Sequence, residues 1–219
     1  QTNTSEIANK SQDENENLTN LAEQLFEEQL VLNPMRGVFI GDYRFNDKFT
    51  DNLTDDYLKK RHDLNTRYLA MANSIDRSKL SAERKITYDI LLRDLKRALA
   101  AETFPERYIP FTQFYSLMST MAQLGSGQSA QPFETAENYR EFAQRLDGYV
   151  KWFETAKVRL AQGVENKVVL PRILTQRLLP QLDAQLVDNI EVSIFYQPVK
   201  NFPAQMSQQD KESITTQYR

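Results

Sequence analysis

The pattern that most constrains this chain lies between Thr135 and Gly163. Tyr139, Phe142, Leu146, Tyr149, Phe153, Ala156 and Leu160 recur at steps of three and four over three heptads. Apolar residues at that spacing line one side of an α-helix and need a partner surface of the same length. A strand cannot use them, because its side chains alternate every two residues. Thr135 sits where a capping hydroxyl is wanted, and Gly163 fits a position just past the helix end. Gly148, in the middle, weakens the helix by about 1 kcal/mol relative to Ala and marks a place where it could break. One long amphipathic helix of this kind predicts a helical bundle built around it.

The rest of the chain repeats the theme. Six glycines and eight prolines in 219 residues are few for a turn-rich β architecture. A helix is expected from about Leu18 to Leu32, with Leu18, Leu21, Leu25, Phe26, Leu30 and Val31 near helical spacing, closed by Asn33-Pro34 because the residue before proline avoids the α region. Thr54 followed by Asp55 and Asp56 opens another, with Tyr57, Arg61, Leu64, Tyr68, Met71 and Ile75 on one side. Ser81 and Glu83 open a third, whose stripe of Tyr88, Leu91, Leu92, Leu95 and Leu99 is widened by Ile86 and Ile90.

Pro171 starts a helix carrying Ile173, Leu174, Leu178, Leu182 and Leu186, which Pro180 should kink or split. Residues 192–203, punctuated by Pro198 and Pro203, read as extended. Ser207 caps a last helix that stops in mid-pattern at Arg219, as if the chain continued in a parent protein. Residues 1–17, rich in Asn, Gln and Ser, read as a flexible, disordered polar tail. The expected fold is therefore all-α: a multi-helix, bundle-like array with irregular aromatic-rich connections, a tail over 1–17, a single helical domain over 18–219 and a short extended segment near 192–203.

Composition removes several functions. With one histidine, His62, and no cysteine, the chain cannot build a two-histidine zinc site, a thiolate cluster or a Cys/His nucleophilic pair. Net charge is −3 and no basic run exceeds Lys59-Lys60-Arg61, so nucleic acid is not an expected partner. Neither a dinucleotide fingerprint nor a phosphate-binding loop occurs. Glu23 and Glu27 share a helix side but offer a metal no more than most amphipathic helices do. His62 stands on a helix beside Asp63, with Leu58 and Thr66 one turn away, in the manner of a surface histidine.

Two segments remain as binding candidates. Asp42, Tyr43 and Arg44 follow Gly41 after an apolar patch, where a loop could present them to a substrate cleft; a buried polar network is the alternative. The aromatic connection Phe104, Tyr108, Phe111, Phe114 and Tyr115 is either a binding wall or core.

The phrases NPMRGVFIGDYRFNDKFTDNLTDDYLKKRHDL, SIDRSKLSAERKITYDILLRDLKRAL, ENYREFAQRLDGYVKWFETAKVRLAQG, VVLPRIL and FYQPVKNFP follow one another over residues 18–219 in an order that resembles the N-terminal part of the bacterial "domain of unknown function 885" family. The resemblance implies a longer protein similar to helical zinc-dependent peptidases. In these an HExxPGH-like motif in the C-terminal half supplies two zinc-binding histidines and a glutamate that activates water. No residue here matches that motif, so the resemblance carries over no catalytic or metal residue; it implies no cofactor in this segment and zinc in the full-length parent. It further implies a lipoprotein of the cell envelope or periplasm, tethered to the membrane by a lipid anchor upstream of Gln1; a cytoplasmic location is the alternative. Two functions follow as expectations. One is a cleft wall and scaffold whose partners are the C-terminal part of the same protein and a peptide substrate. The other is a stand-alone helical binding or scaffold module with no enzymatic activity.

Overall fold

A computed structural model describes residues 2–114 and 116–219, with side chains described from Glu14 onward. Its α-helices are α1 (Thr2–Leu32), α2 (Met35–Phe39), α3 (Asp55–Asn73), α4 (Ala82–Ala101), α5 (Leu117–Gly125), α6 (Ala136–Glu165), α7 (Arg172–Asp183), α8 (Gln197–Lys200) and α9 (Gln208–Gln217). No strand forms among the described residues, so the all-α class holds. Contacts divide the expected single domain into two compact units. The first holds the chain through Leu32 and Asp55–Phe104, the second Asn33–Thr54 and Pro105–Arg219.

In the first unit α3 packs on α4, and α1 packs on both. Leu18, Leu21 and Leu25 of α1 meet Leu64, Tyr68 and Ala72 of α3 and Tyr88 and Leu95 of α4 in one buried cluster. Burial of each large side chain contributes about 1.5–3 kcal/mol. Tyr68 keeps its hydroxyl satisfied by donating to Glu28 Oε1 at 2.8 Å. The expected stripes are too broad. Phe26 and Val31 of α1 and Ile86 and Ile90 of α4 face water, because the three-helix core closes on the opposite side of each helix.

The expected tail over 1–17 lies, through Asp13, outside the described side chains. Its end is bound: Asn15 Oδ1 accepts from the Ser81 amide at 3.0 Å, so order begins ahead of Leu18. The sequence before Leu18 contains no Gly or Pro to stop a helix.

The second unit is built on α6. Thr135 and Asn138 form a reciprocal capping box at its start, which satisfies two amides that would otherwise lack partners. The helix runs unbroken through Gly148, where it could have broken. A Cβ there would lie 2.5 Å from Phe49 Cβ, so the glycine admits a neighbouring chain. Gly163 lies inside α6, which ends at Glu165; two residues on, Lys167 takes the left-handed conformation at φ 60°. The Val168 amide closes on Gly163 O at 2.8 Å and the Lys167 amide on Val164 O at 3.2 Å, a Schellman closure made without glycine in the left-handed position.

Pro180 does not split α7; it stands in the last turn, and Leu186 lies beyond the helix rather than on its stripe. Residues 192–203 are not extended either. Two 3-10 turns, Ile190–Val192 and Ile194–Tyr196, lead into α8. The reason is local: Asn189 and Ser193 cap the two turns through their side chains, and Pro198 falls in the first turn of α8, where a missing amide costs nothing. Ser207 caps α9 as expected. Ile214 and Tyr218 then pack with Tyr139 of α6, and the Tyr218 hydroxyl donates to Tyr139 O at 2.8 Å.

Candidate functional site

The segment following α2 is an irregular connection that α6 grips residue by residue. Arg145, with no solvent exposure, donates from Nη2 to Phe45 O at 2.9 Å, from Nε to Lys48 O at 3.1 Å and from Nη1 to Gln131 Oε1 at 3.0 Å. One heptad on, Trp152 Nε1 donates to Asn52 Oδ1 at 2.9 Å. Another heptad on, buried Arg159 donates from Nε to Leu53 O at 2.7 Å. Between them Asn46 Nδ2 reaches Glu141 Oε2 at 3.0 Å, Thr155 donates to Asp51, and Phe49 sits against Gly148.

The contacts advance from 45 to 53 as α6 advances from 141 to 159. Forked guanidinium donors suit this task, since one side chain can satisfy carbonyls that a loop leaves without ladder partners. Burial pulls the Arg145 pKa down to about 10, while the charges of Asp47 and Glu141 act the other way. At neutral pH the group stays a cation, held by oxygen dipoles.

This clamp fixes the surface position of the predicted cleft residues. Asp42 and Arg44 bind each other: Arg44 Nη2 to Asp42 Oδ2 is 2.7 Å and Nε to Oδ1 is 3.0 Å, and the Arg44 amide also donates to Oδ1 at 3.2 Å. That pairing holds the Asp42 carboxyl below the usual carboxylate range. The turn is tight enough that a Cβ on Gly37 would strike Asp42 O at 2.4 Å. Tyr43 stays exposed and its hydroxyl donates to Ala130 O at 3.4 Å. The buried polar network weighed for these three belongs instead to their neighbours Asn46 and Arg145. Its signal was present in the sequence: Arg145, Trp152 and Arg159 recur every seven residues beside the apolar seam.

The aromatic connection divides. Phe111 is core, its ring centroid 6.1 Å from that of Trp152. Phe104 and Phe114 are exposed, and Tyr115 lies outside the described residues. His62 is an exposed residue whose Nδ1 lies 2.7 Å from Glu102 Oε2, with the Thr66 hydroxyl 3.5 Å from Nε2. The pair fastens α3 to the end of α4. Among the described residues no three His, Cys, Asp or Glu side chains converge as a metal site.

One feature escaped the sequence reading. Leu186, Val187, Ile190, Val192 and Ile194 are all exposed, Leu186 to 78%, within nine consecutive residues that run from the end of α7 through the 3-10 turns. The next residues, Phe195 and Tyr196, turn inward, Phe195 against Gly125 of α5 and Tyr149 of α6.

These elements define an all-α protein with a clamped loop and an exposed apolar strap. The family model described as "Bacterial protein of unknown function (DUF885)" matches residues 34–219, and the chain belongs to that family. The match begins at Pro34, so α1 lies outside it. No curated protein and no solved structure matches the chain.

Proposed function

We propose that this chain is the N-terminal helical region of a bacterial envelope protein that resembles zinc-dependent peptidases, and that it forms one wall of a substrate cleft and a scaffold for a C-terminal catalytic half. The observation that carries this reading is the strap 186–194. Five aliphatic side chains are exposed within this one short irregular segment, and contiguous exposed apolar patches mark protein contacts. The strap rests on α6 through Phe195, as does the 45–53 segment through Arg145. A half docked on the strap would therefore rest on the helix that also positions Asp42, Tyr43 and Arg44.

In this reading the zinc and the water-activating glutamate belong to the catalytic half, and residues of this chain contribute shape. Tyr43, exposed beside the locked Asp42–Arg44 pair, is the cleft residue most open to a peptide substrate. A lipid anchor ahead of Gln1 would hold the protein at the membrane.

The test is made in the whole protein. Leu186→Ser/Ile190→Ser should lower zinc-dependent peptide hydrolysis at least about tenfold and release the N-terminal region to early proteolysis. Each change leaves the buried residues of this region in place. Unaltered hydrolysis and proteolysis in that variant, or the absence of zinc from the purified protein, would refute the proposal.

A further inference from the structure

Helix α4 is apolar on two sides. Tyr88 and Leu95 face the core of the first unit. The opposite side carries Ile86 at 63% and Ile90 at 45% exposure, followed after the helix by Phe104 at 65%. A groove of about 300 Å³ runs along the flank of α4 between this side and α1, floored by the core residues Leu25, Leu91 and Leu95 and edged by Thr87, Ile90, Asp94 and Ala98 of α4 and Ala22 and Gln29 of α1. It continues past Arg97, Ala101 and Phe104. Thr87, Ile90, Asp94, Arg97 and Ala101 recur at steps of three and four and so share one side. Ala98 and Ala101 leave room for a second helix to approach closely.

We propose that this face pairs with the same face of a second copy of the chain, two α4 helices crossing antiparallel about a two-fold axis that passes between Asp94 and Arg97. The face is complementary to itself in that one register. Ile90 meets the partner's Ala101, Thr87 meets the partner's Phe104, and Asp94 meets the partner's Arg97, each contact occurring twice by symmetry. Large side chains fall on small ones and each acid falls on a base.

Arg97 has no ion-pair partner of its own among the described residues, and Asp94 is bonded only to its neighbour Arg93, through Oδ1. A parallel arrangement would set Asp94 on Asp94 and Ile90 on Ile90, and loses both matches. The contact needs neither the strap nor the cleft, so it stands apart from the function proposed above.

The chain itself is the test sample. Sedimentation of residues 1–219 should show a 25.5 kDa species passing to twice that mass as concentration rises. The same should occur in Leu186→Ser/Ile190→Ser, which removes the strap. Asp94→Arg and Arg97→Asp should each raise the dissociation constant about tenfold or more, and the combined swap should return it to within about threefold of the original.

Because the chain has no cysteine, Ile90→Cys/Ala101→Cys should form a covalent dimer on mild oxidation. The two positions lie about 16 Å apart along one helix and cannot bridge within a chain. Ile90→Cys alone should not cross-link. A monomer at every soluble concentration overturns the proposal. So do single charge reversals without effect, a combined swap that fails to restore pairing, or self-linking of Ile90→Cys. Should a charge variant misfold, the cysteine pair decides alone.

Discussion

Arg145 is a fully buried cation that joins α6 to the loop after α2. Its guanidinium makes three hydrogen bonds to oxygen, two of them to loop carbonyls. Consider Arg145→Met, which keeps much of the aliphatic volume and removes every donor. Bonds from a charged donor contribute about 1.5–3 kcal/mol each, so about 4.5–9 kcal/mol of interaction is lost; Phe45 O keeps the Lys48 amide at 3.0 Å, while Lys48 O and Gln131 Oε1 lose the guanidinium donor.

Against this stands the cost of burying the cation. The fall of the Arg145 pKa from 12.5 to about 10 corresponds to about 3 kcal/mol, which the substitution recovers. The net expectation is a loss of about 1.5–6 kcal/mol, a large share of a typical domain stability. Arg145→Lys should fall between, since one ammonium cannot span the Phe45 and Lys48 carbonyls and Gln131 with the same fork.

Urea denaturation gives the measurement. Trp152 is the chain's only tryptophan and bonds to Asn52 of the clamped loop, so its fluorescence reports the second unit while far-ultraviolet circular dichroism reports all helices. Trypsin should also cleave at Lys48 sooner in the variant, since Lys48 O has lost its donor. A change below about 0.5 kcal/mol, or a stabilisation, would refute the idea that the guanidinium organises the loop; desolvation would then outweigh the bonds.

Gly148→Ala should destabilise by about 1–3 kcal/mol despite a gain in helix propensity of about 1 kcal/mol, because the new Cβ meets Phe49; combining it with Phe49→Ala should remove most of the coupling in a thermal double-mutant cycle. Lys167→Gly should stabilise by about 1 kcal/mol in the same assay, since only the φ of 60° is relieved; a loss of stability would show that the Lys167 side chain contributes more than the strain costs. Burial pushes the phenols of Tyr68 and Tyr139 up to about 12, with Glu28 adding to the effect at Tyr68. The folded chain therefore holds protons that the unfolded chain releases from about pH 10. Stability is complete below that pH and falls as pH rises from 10 towards 12, and absorbance at the phenolate band should show these tyrosines ionising only as the helices melt.

Several parts of the fold were legible because local chemistry decides them. Thr135, Ser81 and Ser207 cap helices where their hydroxyls predicted it. Asn33-Pro34 ends α1 where the proline forbids more. Segments set by contact were misread. Gly148 looked like a weak point and proves to be a seat for Phe49. Pro198 looked like strand punctuation and opens a helical turn. Ile86 and Ile90 satisfied the period of a buried stripe yet face water. Asp42, Tyr43 and Arg44 were placed at the surface, but their mutual pairing depends on a loop path that only Arg145 and its neighbours fix.

The sequence by itself determined that this is a helical chain, where most helices start, that it carries no two-histidine zinc site, and that it resembles the family to which it belongs. Those properties follow from composition, periodicity and short-range capping, which act within a few residues. The tertiary structure alone decided that Phe26, Val31, Ile86 and Ile90 face water, why a glycine sits within α6 without breaking it, and that the strap 186–194 is exposed. These depend on what lies across from each residue, and side chains far apart in sequence supply that surface: Phe49 for Gly148, Phe45 and Lys48 for Arg145, Asn52 for Trp152.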